Sequence, residues 1–214
     1  MSQVKGLCVM DVDGTLILEE VINLLGREAG REEEISLITS RAMRGELDFE
    51  SSLRKRVSLL EGLPVSVFDK VFNSIHLTPN AQEFISILQK NGILVGLLSG
   101  GFTPIVARLA KSLGIAYFSA NQLEVKEGLL TGKLVGQIIN PEVKKETLEQ
   151  WREELKLSKD RTVAIGDGAN DLLMLKSAGL GIAFCAKEVL KQEIPNHVDK
   201  RDFLEVLSLI DCLE

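Results

Sequence analysis

Gly6-Leu7-Cys8-Val9-Met10-Asp11-Val12-Asp13-Gly14-Thr15-Leu16 decides the fold. The first five residues form an apolar run that reads as a buried strand. Asp11 and Asp13 follow directly, so two carboxylates stand at a strand's C-terminal end, where open α/β sheets hold their ligands. A carboxylate is ionised at pH 7 and needs no base to act as a nucleophile. A second carboxyl group beside it can carry protons, so the pair suits phosphoryl transfer through an aspartyl-phosphate. Asp-x-Asp-Gly is also ordinary turn chemistry. A calcium loop opened at Asp11 would need Gly at its sixth place and Glu at its twelfth. Leu16 and Ile22 stand there, which excludes it.

Outward from this stretch, no strand pattern appears from 19 to 75. Amphipathic helices are expected over 19–29, 31–44, 48–60 and 65–74, punctuated by Gly30, Gly45 and Gly62-Leu63-Pro64. Strands and helices then alternate: helix 80–90, strand 93–98, the turn Ser99-Gly100-Gly101, helix 103–113 and a short strand 116–119. Segments 123–126 and 134–138 flank Gly128 and Gly132 and read as a β-hairpin. Helix 142–156, strand 162–165, the loop Gly166-Asp167-Gly168-Ala169-Asn170-Asp171, a helix to 178, strand 181–184 and a helix near 203–213 complete the chain. This order predicts an α/β protein: a doubly wound parallel-sheet (Rossmann-like) core with an inserted all-helical cap and a small β-hairpin. The expected boundaries are 1–14 and 76–214 for the core and 15–75 for the cap. The motif loops all follow strands and should meet at one sheet edge.

With 214 residues, the chain can hold one core with a smaller inserted module. Its 45% hydrophobic and 26% charged residues place it among ordinary globular proteins. The formal net charge of −6 argues against nucleic acid or an anionic membrane as partner, and leaves a small anionic substrate to a locally positive pocket. Cys8, Cys185 and Cys212 are odd in number and far apart, with two in apolar runs, so buried reduced thiols are expected. No Cys-x-x-Cys motif or His cluster suggests zinc. No leader sequence is seen and no apolar run approaches the ~18 residues of a membrane span, which makes the cytoplasm the expected location.

Three further elements carry chemistry. In Ser99-Gly100-Gly101, a hydroxyl and glycine N–H groups can cradle phosphate oxygens, although the stretch alone also reads as a simple turn. A phosphoryl site with several acids needs a fixed cation, which Lys144 or its neighbour Lys145 can supply at a helix start. Asp167, Asn170 and Asp171 offer the oxygen ligands that suit Mg²⁺. A dinucleotide fingerprint is rejected there, because its third glycine place holds Asp171 and the acids would repel a pyrophosphate.

These four elements, in this order, resemble the haloacid dehalogenase superfamily of phosphatases. Its Asp-x-Asp-x-Thr motif is matched by Asp11, Asp13 and Thr15, its second-motif Ser by Ser99, its third-motif Lys by Lys144, and its fourth-motif acids by Asp167 and Asp171. The likeness extends to the phosphoserine phosphatase family, through Glu20, through Met43, Phe49 and Arg56 in the cap, and through Ala183-Phe184-Cys185-Ala186-Lys187. Two departures are Gly14, where many members carry Ser, and Lys145, where Gly often follows the lysine.

The resemblance implies a Mg²⁺-dependent enzyme that hydrolyses O-phospho-L-serine to L-serine and phosphate, the last step of serine biosynthesis. Asp11 is then the nucleophile, Asp13 the general acid and base, and Lys144 the cation that offsets charge. Asp11, the main-chain carbonyl of Asp13 and Asp167 would hold Mg²⁺, with Asp171 acting through water. Asp13 must have a raised pKa to act as an acid, and nearby negative charge would raise it. Ser99, Gly100, Gly101, Lys144 and Asn170 would hold the phosphate, Glu20 the substrate ammonium and Arg56 its carboxylate, with Met43 and Phe49 as further substrate contacts. Without the resemblance, Arg56 reads as a solvated helix face beside Arg54 and Lys55, and Met43 and Phe49 read as cap packing. Rival readings are the same chemistry on another small phosphate, transfer to an alcohol such as homoserine, and a phospho-acceptor switch domain. The second Asp and the large cap argue against the switch. A monomer and a homodimer both remain open.

Overall fold

The computed structural model describes residues 4–210. Cys212 and the end of the helix expected near 203–213 lie outside the described residues. The elements are β1 (Gly6–Met10), α1 (Val21–Glu28), α2 (Glu32–Met43), α3 (Phe49–Ser58), α4 (Val67–Phe72), α5 (Ala81–Lys90), β2 (Ile93–Phe102), α6 (Thr103–Ser112), β3 (Tyr117–Lys126) and β4 (Leu129–Val135). Then come α7 (Pro141–Glu154), β5 (Thr162–Gly166), α8 (Leu172–Ser177), β6 (Leu180–Phe184), α9 (Glu188–Lys191), β7 (His197–Val198) and α10 (Leu204–Ile210). The sheet order is β4-β3-β2-β1-β5-β6-β7, and every pairing is parallel except β3 with β4. The doubly wound parallel sheet is therefore present as expected.

β1 lies at the centre and all five of its residues are buried, as a parallel strand covered on both faces requires. Leu7 and Val9 pack with Leu98, Leu148, Trp151 and Ala164, while Cys8 and Met10 pack with Leu97, Val163, Ile165 and Phe184. The period-2 alternation of the strand thus divides its side chains between two cores. Gly96 in β2 lets α7 lie close to the sheet, since a Cβ there would stand 2.6 Å from the Trp151 ring.

Two stretches differ from the sequence reading. β2 continues through Ser99-Gly100-Gly101 to Phe102; Ser99 pairs with Ala120 and Phe102 with Asn121, so the two glycines bulge out of register. The hairpin is also shifted. β3 absorbs the short strand expected at 116–119, and β4 begins at Leu129 rather than 134. Its turn is Glu127-Gly128, both at positive φ (51° and 78°), the two-residue geometry that suits twisted strands. Gly132, at φ 73°, lies within β4, where Leu123 pairs with Leu134 and Val125 with Leu130. It is a bulge, and its missing Cβ admits α3: a Cβ would stand 3.1 Å from Ser58 O.

α1 to α4 fall between β1 and β2. The two connecting stretches are joined to each other: Ile17 bridges Leu77, Leu18 N–H donates to His76 O at 3.0 Å, and Thr78 N–H donates to Leu16 O at 2.9 Å. The turn after α3 is bonded to the hairpin, through Gly62 N–H to Leu130 O (2.9 Å), Leu130 N–H to Leu63 O (2.8 Å) and Val65 N–H to Gly128 O (2.9 Å). No described helix is long and apolar enough to cross a membrane. Cys8 is buried, and burial pushes its thiol up to about 12. Cys185 is half-buried rather than buried, because it sits just past β6 at φ 47°. Both are free thiols.

Candidate active site

Asp11 extends the β1 ladder, with its N–H donating to Ile165 O at 2.9 Å, and its side chain is 2% exposed. The chain then makes one wide turn over Val12–Leu16, closed by Ile17 N–H to Val12 O at 3.0 Å. Gly14 turns through φ 73°, and a Cβ there would stand 3.0 Å from Asp167 Oδ2. Asp13 Oδ2 accepts the N–H of Val21 at the start of α1 (3.1 Å), whereas its buried Oδ1 has no protein partner.

Lys144 comes from the first turn of α7, which begins with Asn140 Oδ1 accepting Val143 N–H (2.9 Å) and Pro141. It is fully buried, and its Nζ donates to Asp11 Oδ1 at 2.5 Å and Asp171 Oδ1 at 2.7 Å. Lys145 is 45% exposed and faces Glu149. The geometry therefore brings Lys144, and not its neighbour, to the acids. Asp171 Oδ2 accepts the N–H groups of Asp167 and Gly168, each at 3.2 Å. A Cβ at Gly166 would stand 2.5 Å from Asp171 Cγ, so the close approach requires glycine. Asp167 is held by Thr15 Oγ1 (3.4 Å) and Lys187 Nζ (3.3 Å). Ser99 is fully buried, and its Oγ accepts Gly101 N–H at 2.8 Å, so that glycine N–H is already committed within the protein.

Asp11, Asp167 and Asp171 offer carboxylate oxygens within 4.8 Å of one another. Burial and the Asp171 charge raise the pKa of Asp11, against Lys144. Asp13 is pushed up to about 7, chiefly by burial, while the Val21 N–H pulls it down. Its raised pKa was expected, but the main cause is desolvation rather than neighbouring charge. Asp167 is raised to about 6 by burial and then by Asp171. Burial disfavours the charge on Lys144, yet Asp11 and Asp171 outweigh it and raise its pKa. Four buried acids thus surround one buried lysine. The all-oxygen donor set and its excess of negative charge fit a hard metal cation.

Above the acids lies a small cavity lined by Asp11, Asp13, Glu20, Met43, Arg56, Gly100, Gly101 and Asn170. Asn170 is buried, and its Oδ1 has no protein partner. Glu20, just before α1, is raised to about 8 by burial and by the charges of Asp13 and Asp167. Arg56 is 5% exposed, so the solvated-face alternative is overturned. Burial lowers its pKa, against the charges of Glu20 and Asp13. Met43 Sδ stands 3.0 Å from where a Gly168 Cβ would be, and the Phe49 ring 3.1 Å from where a Gly100 Cβ would be. Helices α2 and α3 therefore rest directly on the motif loops. Phe49 borders the adjoining cleft rather than the cavity, and Ser99, Lys144, Asp167 and Asp171 stand behind its walls. Thr15 and Lys187 stand within the motifs that carry the family resemblance, but no role followed from them. Lys187 lies just past β6, at the same sheet edge as the other motifs, and that position was the available signal.

A family model described as haloacid dehalogenase-like hydrolase matches residues 6–179. A phosphoserine phosphatase of Streptococcus thermophilus is 52% identical over 99% of this chain and 98% of its own. That of Methanocaldococcus jannaschii is 45% identical over 98% of this chain and 100% of its own. A solved structure described as a phospho-aspartyl intermediate analogue of phosphoserine phosphatase superposes with a TM-score of 0.93 at 45% identity, covering 95% of this chain and 98% of the other. A substrate-bound phosphoserine phosphatase complex gives the same TM-score at 44% identity, over 95% and 97%. The chain belongs to the haloacid dehalogenase-like hydrolases, in their phosphoserine phosphatase family.

Proposed function

We propose that the protein hydrolyses O-phospho-L-serine to L-serine and phosphate in the cytoplasm, as the last step of serine biosynthesis. The observation that carries this reading is one cavity in which Asp11 and Asp13 face Glu20 and Arg56. A carboxylate oxygen of Asp11 attacks phosphorus in line, and the bond from phosphorus to the serine oxygen breaks. Asp13 gives its proton to that leaving oxygen. It then takes a proton from the water that attacks the aspartyl-phosphate, which releases phosphate and restores Asp11. A pKa near 7 suits a group that must both give and accept a proton. Lys144 offsets charge at Asp11, Gly100, Gly101 and Asn170 border the phosphate, and Ser99 supports them from behind through the Gly101 N–H. Glu20 meets the substrate ammonium and Arg56 its carboxylate. Met43 and Phe49 close the site against water, with 15–75 acting as the cap.

Asp11, the main-chain carbonyl of Asp13 and Asp167 would hold Mg²⁺, with Asp171 behind them. Bound there, Mg²⁺ offsets the repulsion between the Asp11 carboxylate and the phosphate dianion. The test is phosphate release from a panel of small phosphoesters with Mg²⁺. Sustained turnover with phosphoserine as the preferred substrate supports the reading. A single phosphorylation without turnover would point to a switch domain, and transfer to homoserine in place of phosphate release would point to a phosphotransferase.

A further inference from the structure

Arg56 reaches the cavity from α3, and its guanidinium is held by α2 and by its own helix. NH1 donates to Thr39 Oγ1 of α2 at 3.1 Å, and Nε donates to Ser52 O, one turn back, at 3.2 Å. Thr39 Oγ1 also lies 2.9 Å from Ile35 O and 3.1 Å from Asn23 Oδ1 of α1. Thr39 is 1% exposed, so one buried hydroxyl joins side chains of three helices. A hydroxyl has one proton and two lone pairs. Giving the proton to Ile35 or Asn23 leaves a lone pair aimed at Arg56.

A guanidinium is planar and reads a carboxylate only when its fork is presented edge-on. Two N–H groups committed to the cap fix that plane. Arg56 lines the cavity together with Asp13 and Glu20. A threonine inside a helix is neutral or unfavourable for the helix itself, so its value here lies in the tertiary bond.

We propose that Thr39 is a positioning residue for Arg56, whose hydroxyl sets the rotation of the guanidinium so that its fork meets the carboxylate of a phosphorylated amino acid. This rests on the reading of Arg56 given above. Thr39→Val keeps the shape and removes the acceptor, whereas Thr39→Ser keeps the acceptor. The experiment measures kcat and KM for phosphoserine and p-nitrophenyl phosphate in the wild type, both Thr39 variants, Arg56→Ala and the double variant Thr39→Val/Arg56→Ala. Thr39→Ala serves if Thr39→Val does not fold.

Thr39→Val should raise KM for phosphoserine about two- to tenfold, the net worth of a typical intramolecular hydrogen bond, with kcat changed less than about twofold. The aryl phosphate should scarcely register the change, Thr39→Ser should restore KM, and the Thr39→Val effect should vanish in the Arg56→Ala background. If Arg56→Ala discriminates between the two substrates but Thr39→Val does not, or if the Thr39→Val loss persists without Arg56, the positioning role is overturned. If Arg56→Ala itself weakens both substrates equally, the reading of Arg56 fails first.

Discussion

Asp11 and Asp13 stand two positions apart on one strand end yet meet different surroundings. Asp11 is tied to Lys144, whereas Asp13 is tied to one main-chain N–H and carries a free oxygen into the cavity. Asp11→Asn should keep the fold and lose more than about a hundredfold in kcat, because the proposed covalent nucleophile is removed. Retained activity above that level would contradict its role. Asp13→Asn should slow the chemical steps by about 10²–10⁴ while Mg²⁺ affinity measured by titration is kept, since the proposed ligand is its main-chain carbonyl. A collapse in affinity with unchanged kcat would reverse the assignment. The acids and Ser99 were legible as residues, because each follows an apolar run. The choice of Lys144 over Lys145 came from the family resemblance and not from the residues themselves, since adjacent residues on a helix differ by about 100° and only the packing of α7 decides which faces inward. For Arg56 a signal did exist. Ser52, Leu53, Arg56 and Val57 are the buried residues of α3, spaced as one helical stripe, and the basic neighbours Arg54 and Lys55 hid it.

At the scale of elements, the parallel strands were readable because both their faces are buried and leave continuous apolar runs. The hairpin was readable but its turn and strand limits were not, because two glycines compete for the turn and only the contact with α3 distinguishes them. Gly128 and Gly132 both have φ in the left-handed region, at 78° and 73°. A Cβ at Gly128 would meet nothing within 4 Å, while one at Gly132 would stand 3.1 Å from Ser58 O and 3.2 Å from Ser58 Cα. Gly128→Ala should therefore cost only the backbone penalty, about 1 kcal/mol, and Gly132→Ala distinctly more. Urea unfolding of the two variants measures the difference. Equal losses would show that α3 does not press on the bulge. The bonds from Gly62, Leu63 and Val65 to the hairpin also mean that movement of α3 must carry β4 with it or break them.

The molecule as a whole gathers its buried acids at one sheet edge, and this sets a pH dependence. Asp167, Asp13 and Glu20 are raised to about 6, about 7 and about 8, from ordinary values of 3.8, 3.8 and 4.5. At these three groups the folded state binds protons that the unfolded chain has released, so the stability they contribute is full below about pH 4 and is lost as pH rises through 6 to 8. Lys144 is raised above its ordinary 10.5 and stays charged across that window. The Tm of metal-free protein should fall between about pH 5 and about pH 8.5, and added Mg²⁺ should restore more of it at the upper end. A Tm that rises across that range without metal would contradict this balance of charges. The central claim, hydrolysis of phosphoserine through Asp11, is tested most directly by acid quench of wild type turning over phosphate-labelled phosphoserine, followed by peptide mapping. The label should sit on the peptide that carries Asp11, serine should appear before phosphate, and Asp11→Asn should carry no label. Turnover with no labelled peptide, or with label on another residue, would contradict the account.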